Sequence, residues 1–130
     1  MTRAELLRLV PGSREVHGSV TLENFRYAEK TFNVQFSFKS DRLDQAHLSD
    51  AVSMEPNAAT RQSFEKLVAT LRGSYGEPQS RNVEERASGL YGEAVWRKGG
   101  SEITVSIVPS TQHHSTILFN FFAEGRRRAS

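Results

Sequence analysis

The feature that most constrains the fold is a strict alternation of apolar and polar residues along residues 31–39. Every second residue from Phe32 to Phe38 is apolar, and the residues between and beside them are polar: Thr31, Asn33, Gln35, Ser37 and Lys39. Successive side chains of a β-strand point to opposite sides of the sheet, so this pattern predicts a strand with one buried face and one solvated face. Such a strand is typical of an antiparallel sheet that packs its apolar face on helices.

Neighbouring segments extend this strand into a three-stranded meander. Upstream, a strand opens at residues 19–22 and continues past a bulge to Tyr27, and residues 28–30 turn the chain into the central strand. Downstream, the polar turn 39–42 leads into a strand over residues 43–48. Polar, turn-forming residues bound each strand, as expected for short hairpin connections.

A second series of strands occupies the last third of the chain. The segment 93–98 carries Trp96, and Gly99-Gly100 forms a tight hairpin turn into an alternating strand over residues 103–107. After a connection at 109–115, a final strand spans 116–122. Residues 79–90 are polar without a clear period, which predicts a mobile loop with a short strand around Val83.

One helix precedes each series of strands. Thr2 and Glu5 form a capping box for a short helix that Pro11-Gly12 ends. After a linker at 49–58, a second helix begins near 58–60 and Gly73 ends it. Its apolar residues have the spacing of one buried helical stripe: Phe64, Leu67, Val68 and Leu71.

The two halves therefore share the order helix, strand, strand, strand. We predict an α+β domain over residues 1–123, made of two αβββ units at 2–50 and 59–122. Their roughly six strands form one antiparallel sheet with both helices on its apolar face. Residues 124–130 are predicted to be a disordered basic tail.

Composition excludes several classes of function. Residues 124–130 hold three of the 17 Lys and Arg and one of the 15 Asp and Glu, so residues 1–123 carry 14 of each sign. This balance argues against a nucleic-acid partner, because phosphate binding needs a basic surface within the fold. The chain has no Cys and no apolar run long enough to span a membrane.

Residues that carry catalytic or metal chemistry show no converging pattern. The histidines are His17, His47, His113 and His114, and the close acid pairs are Asp41 with Asp44 and Glu84 with Glu85. The adjacent histidines fall in a predicted hairpin loop, and the acids fall in turns and polar loops, where they stabilise bends or face water. We therefore expect no metal, no cofactor and no catalytic residues.

The predicted binding surface is the polar side of the sheet. If Ile117, Phe119 and Phe121 point inward, Leu118 and Phe122 point to the side that carries the polar residues of the first alternating strand. A largely uncharged surface with a few apolar residues is typical of a protein interface. The candidate contact residues are Thr31, Asn33, Gln35, Ser37, Leu118 and Phe122.

Several segments resemble those of a known family. The opening Met-Thr-Arg-Ala-Glu-Leu-Leu, the segment 36–48, and Tyr75-Gly76-Glu77-Pro78 ahead of the Trp96 strand resemble the SmpA/OmlA group of small bacterial envelope lipoproteins. Two such units in tandem are similar to β-lactamase inhibitory proteins. The chain departs from the lipoproteins in lacking a signal peptide and a lipidation Cys. The resemblance implies a binding module without a catalytic residue set.

The function expected from the sequence is that of a non-catalytic binding protein without a cofactor, whose partner is another protein.

 It would act as an envelope assembly factor, or as an inhibitor or immunity protein, and as a monomer. Two alternatives stay open: a secretion chaperone, and an enzyme with an unrecognised site. The chain starts without an export signal, which predicts the cytoplasm, whereas the resemblance predicts the periplasm after removal of a signal.

Overall fold

A computed structural model describes residues 2–17, 19–51 and 54–123, so the predicted basic tail at 124–130 lies outside the described residues. The two helices are α1 (Arg3–Leu9) and α2 (Asn57–Tyr75). The first five strands are β1 (Arg14–Val16), β2 (Ser19–Tyr27), β3 (Lys30–Lys39), β4 (Arg42–Asp50) and β5 (Glu55–Pro56). The other four are β6 (Ser80–Arg86), β7 (Gly89–Lys98), β8 (Ser101–Pro109) and β9 (His114–Phe122).

All the strands belong to one antiparallel sheet, and the α+β class is confirmed. The strand order is β1-β2-β3-β4-β9-β8-β7-β6, with β5 paired to β9 outside this path. Each half of the order is a meander, and the halves meet where β4 pairs with β9. The sheet therefore has β1 at one edge and β6 at the other.

The prediction of about six strands is wrong, because the described residues form nine. β1 and β5 have three and two residues, which is too short for a recognisable period. β6 replaces most of the predicted loop at 79–90, and its side chains are exposed except for the half-buried Val83. An edge strand exposed on both sides lacks the apolar alternation by which strands are recognised.

The core lies between α2 and one side of the sheet. The predicted helical stripe is confirmed, since Phe64, Leu67, Val68 and Leu71 are all buried. They join one cluster with strand residues from both halves, including Phe32, Leu48 and Ile117. Burying a side chain of this size contributes about 1.5–3 kcal/mol, so α2 is a main source of the stability of the fold.

Residues close to the helix ends determine where each helix begins or stops. The predicted capping box of α1 is confirmed, because Thr2 accepts a hydrogen bond from the Glu5 N–H and Glu5 accepts one from the Thr2 N–H. Gly73 does not end α2, which continues to Tyr75. The residue that stops α2 is Gly76, whose φ of 83° suits a residue without a Cβ.

A buried ion cluster joins residues of β3, β4 and β5. Lys30 Nζ lies 2.8 Å from Asp50 Oδ2 and 2.7 Å from Glu55 Oε1. The side chains of Lys30 and Asp50 are 9% and 2% exposed. Burial alone lowers the pKa of Lys30, but the hydrogen bonds and charges of the two carboxylates outweigh it and raise the pKa above its ordinary 10.5.

Three hairpin turns have two central residues with positive φ. They are Ala28-Glu29, Ser40-Asp41 and Gly99-Gly100, with φ values between 51° and 89°. This geometry matches the twist of hairpin strands, and Gly and Asn adopt it most easily. The predicted Gly99-Gly100 turn is confirmed, whereas the first two turns carry residues that adopt this geometry at a cost in conformational energy.

Candidate protein-contact face

The predicted contact residues share one side of the sheet with residues of the intervening strand. Three rows cross β3, β4 and β9 in register, and we call their nine members the polar face. The rows are Ser37–Gln45–Phe122, Gln35–His47–Asn120 and Asn33–Ser49–Leu118. Residues paired across antiparallel strands point to the same side, so β4 joins the two groups that the sequence identified.

The centre of the polar face is a hydrogen-bonded group. Asn120 Oδ1 accepts a hydrogen bond from Gln45 Nε2 at 3.0 Å and lies 2.6 Å from His47 Nδ1. With this oxygen as the acceptor, Nδ1 of His47 donates the proton of this hydrogen bond. None of these three residues was among the predicted contact residues. Only strand pairing brings Gln45 and His47 of β4 beside β9, whereas the alternation that selected Leu118 and Phe122 also places Asn120 on this side.

The polar face is uncharged but differs in exposure along its width. None of its nine residues is Lys, Arg, Asp or Glu. On β3, Asn33 and Gln35 are exposed and Ser37 is half-buried, while Leu118 and Phe122 on β9 are half-buried. Thr31 continues the same side of β3 beyond the three rows and is also half-buried.

The side of the sheet that carries the polar face is buried at β7 and β8. Thr104 pairs with Asn120 on one side and with Val95 on the other. Thr104 and Val95 are 4% and 3% exposed. The expectation of an exposed face across the whole sheet is therefore wrong over β7 and β8, and the accessible part lies over β3 and β4.

A shallow depression follows the accessible part. Its volume is about 320 Å³, and its lining includes Asn33, Gln35, His47 and Ser49. Arg14, from the edge strand β1, lines one side. The Arg14 guanidinium pairs with the Glu23 carboxylate at 3.2 Å, so the border of the depression carries a neutralised ion pair.

The other chemical groups named from the sequence do not assemble. Glu84 and Glu85 point to opposite sides of β6 and pair with Arg86 and Arg61 respectively. The hydrogen bond from Arg86 lowers the pKa of the Glu84 carboxyl. In the described part of the chain, no group of three or more His, Cys, Asp or Glu has the placement of a metal site.

The adjacent histidines lie at the β8–β9 connection. His113 is exposed, and His114 begins β9 with Nδ1 at 3.2 Å from the Thr111 hydroxyl. Their backbone carbonyls accept hydrogen bonds from the Asn57, Ser110 and Thr111 N–H groups. The described contacts of these histidines therefore stabilise a turn and the start of α2.

Membrane and family comparisons complete the description of the site. No helix within residues 2–17, 19–51 and 54–123 has the length and apolar character needed to cross a bilayer. Comparison of the chain with known protein families, with curated proteins and with solved structures finds no match. The function must therefore be inferred from the geometry of the site.

Proposed function

We propose that the chain is a non-catalytic protein-binding module that contacts another protein with the polar face. The observation that supports this most strongly is the absence of charge from nine residues on three adjacent strands. Charged residues are depleted at the centres of protein interfaces, because burying an unpaired charge is costly. Amide and hydroxyl groups on this face offer donors and acceptors without that cost.

The proposal includes an arrangement in which both helices lie on the other side of the sheet. α2 packs its buried stripe there. The Arg3 guanidinium of α1 lies 5.2 Å from the ring centre of Phe38, two residues beyond the core-facing Phe36. Gly12, just after α1, lies against Leu22, which also packs on the core. These contacts support a polar face that neither helix covers.

The proposal also includes an internal repeat. Each half is a helix followed by a four-strand meander, rather than the three-strand unit expected from the sequence, and the sheet order reads alike from either edge. The equivalent turns Ala28-Glu29 and Gly99-Gly100 have the same length and the same sign of φ. Tandem units would build a sheet wide enough to carry the polar face across their junction, β4–β9.

The partner that fits this surface is a protein with an uncharged contact patch. Leu118 and Phe122 supply apolar contact area, and His47 and Asn120 supply polar contacts at the centre. Within this class we favour an envelope assembly factor or an inhibitor or immunity protein of bacterial type, acting in the periplasm if an export signal has been removed. The sequence resemblance to such proteins supports this choice.

The test is affinity capture with charge-introducing variants and matched controls. Gln35→Arg and Leu118→Arg place a charge on the polar face, whereas Gln62→Arg and Leu9→Arg place the same charges on exposed helical positions. The full-length protein is immobilised, and captured bacterial proteins are quantified by mass spectrometry. We expect a stoichiometric partner to be captured by the unmodified protein. The first pair of variants should each reduce the amount of captured partner at least about tenfold, which corresponds to about 1.4 kcal/mol of binding free energy.

The control pair should leave capture unchanged. All four variants are also checked by thermal melting, since a loss of capture is informative only while the fold is retained. Equal capture by the two pairs, or a partner that binds all variants alike, would refute the polar face as the contact surface.

A further inference from the structure

A second concave site lies on the helix side of the sheet, away from the polar face. It is a pocket of about 400 Å³ at the C-terminal end of α2. Trp96, Ile103 and Phe121 contribute its apolar lining, and Tyr75 and Lys98 contribute to its more exposed part. The volume falls within the range of about 300–1,000 Å³ that is usual for small-molecule sites.

The lining of this pocket is held in place by hydrogen bonds. The Trp96 indole N–H donates to the Gly76 carbonyl at 2.9 Å. Beside it, the Gln79 amide accepts from the Arg97 backbone N–H at 2.6 Å and donates to the Arg97 carbonyl at 3.0 Å. Trp96 is 3% exposed and forms the base of the pocket. A pocket wall that is fixed before binding loses little entropy when a ligand binds.

One of the charged side chains that line the pocket, Lys98, has no ion-pair partner among the described residues. Glu77 pairs with Arg72 at 2.9 Å, and Arg97 pairs with Glu102 at 2.9 Å. Lys98 makes no ion pair with another residue of the described ranges 2–17, 19–51 and 54–123. The local charge balance therefore favours a ligand with one negative charge.

We propose that this pocket binds a small aromatic monocarboxylate. The ring would pack on the accessible aromatic side chains of the lining, Tyr75 and Phe121, and the carboxylate would face the Lys98 ammonium. Aromatic stacking and a charge-assisted contact are complementary to an apolar wall beside a single cation. This site is independent of the polar face, so either proposal can fail without the other.

The test uses the fluorescence of Trp96, which is the only tryptophan of the chain. The full-length protein is titrated with 3-phenylpropionate and, as a neutral control of the same shape, with 3-phenylpropionamide. We expect a saturable change in Trp96 emission with the carboxylate at a Kd of about 1 mM or tighter, in line with the ligand's few heavy atoms. The amide should bind at least about fivefold more weakly, because it lacks the charge.

Two lysine variants locate the carboxylate. Lys98→Gln should weaken binding at least about fivefold, whereas Lys39→Gln, which also removes a lysine from the end of a strand before a two-residue turn but lies outside the pocket lining, should leave it unchanged. Tyr75→Ala, on the pocket wall, should also weaken binding and serves as a second variant. No saturable change with the carboxylate, equal binding of the amide, or equal effects of the two lysine variants would overturn the proposal.

Discussion

The buried ion cluster gives the sharpest prediction about stability. Lys30→Met removes the cation that contacts Asp50 and Glu55 at 2.8 and 2.7 Å. The ammonium makes two charge-assisted hydrogen bonds in a nearly water-free position, and its removal leaves two carboxylates deprived of this partner. Breaking a buried pair in this way costs about 3–5 kcal/mol.

A matched substitution separates burial from charge. Lys66→Met also removes one lysine from an ion pair, with Glu29 at 3.4 Å, but both of those side chains are more than half exposed. Exposed pairs contribute about 0–1 kcal/mol, so this control should be nearly neutral. Urea unfolding followed by circular dichroism measures both free energies of unfolding.

The pH dependence has a definite sign. The folded pKa of Lys30 is raised above 10.5, so its contribution to stability is complete below pH 10.5 and is lost as the pH rises through the folded pKa. As the pH is raised from neutrality, the stability difference between the wild type and Lys30→Met should therefore begin to shrink only above that pH. Equal costs of the two lysine substitutions, or a difference that already shrinks as the pH rises from about 7 to 9, would refute the reasoning.

Three further predictions concern backbone conformation. Replacing Ser40 and Asp41, whose φ values are 51° and 59°, by Asn and Gly should raise the free energy of unfolding by about 0.5–1 kcal/mol, and an unchanged urea midpoint would contradict this. Gly73→Ala, at an exposed position of α2, should stabilise the helix by up to about 1 kcal/mol, since the added Cβ meets nothing within 4 Å. By contrast, Gly89→Ala should destabilise by more than about 2 kcal/mol, because its Cβ would lie 2.6 Å from Pro109 Cβ at a φ of 142°. Thermal melting that ranks the two alanine variants alike would contradict both.

The sequence predicted those parts of the fold that have a local signal. The capping box at Thr2 and Glu5, the alternation around Phe32 and the bulge after Leu22 are all present in the structure. The Gly99-Gly100 hairpin is also present. Each of these depends on residues a few positions apart, where period and turn chemistry determine the conformation.

The rest depends on residues distant in the chain. Nothing near Lys30 in sequence indicates that Asp50 and Glu55 will enclose it. The central contact of the polar face joins His47 to Asn120, 73 positions later, and depends on the pairing of β4 with β9. Half of the candidate site could thus be identified from alternation, whereas its centre required the strand order.

The position of β9 has a consequence for how the chain acquires this fold. β9 is synthesised after the other strands, yet it is inserted between β4 and β8, in the middle of the sheet. Until β9 has left the ribosome, β1–β4 and β6–β8 must coexist as two separate meanders, with β4 and β8 as unpaired edges. We expect nascent chains stalled before residue 114 to be prone to aggregation and to depend on chaperones, because closing such a distant pairing is slow.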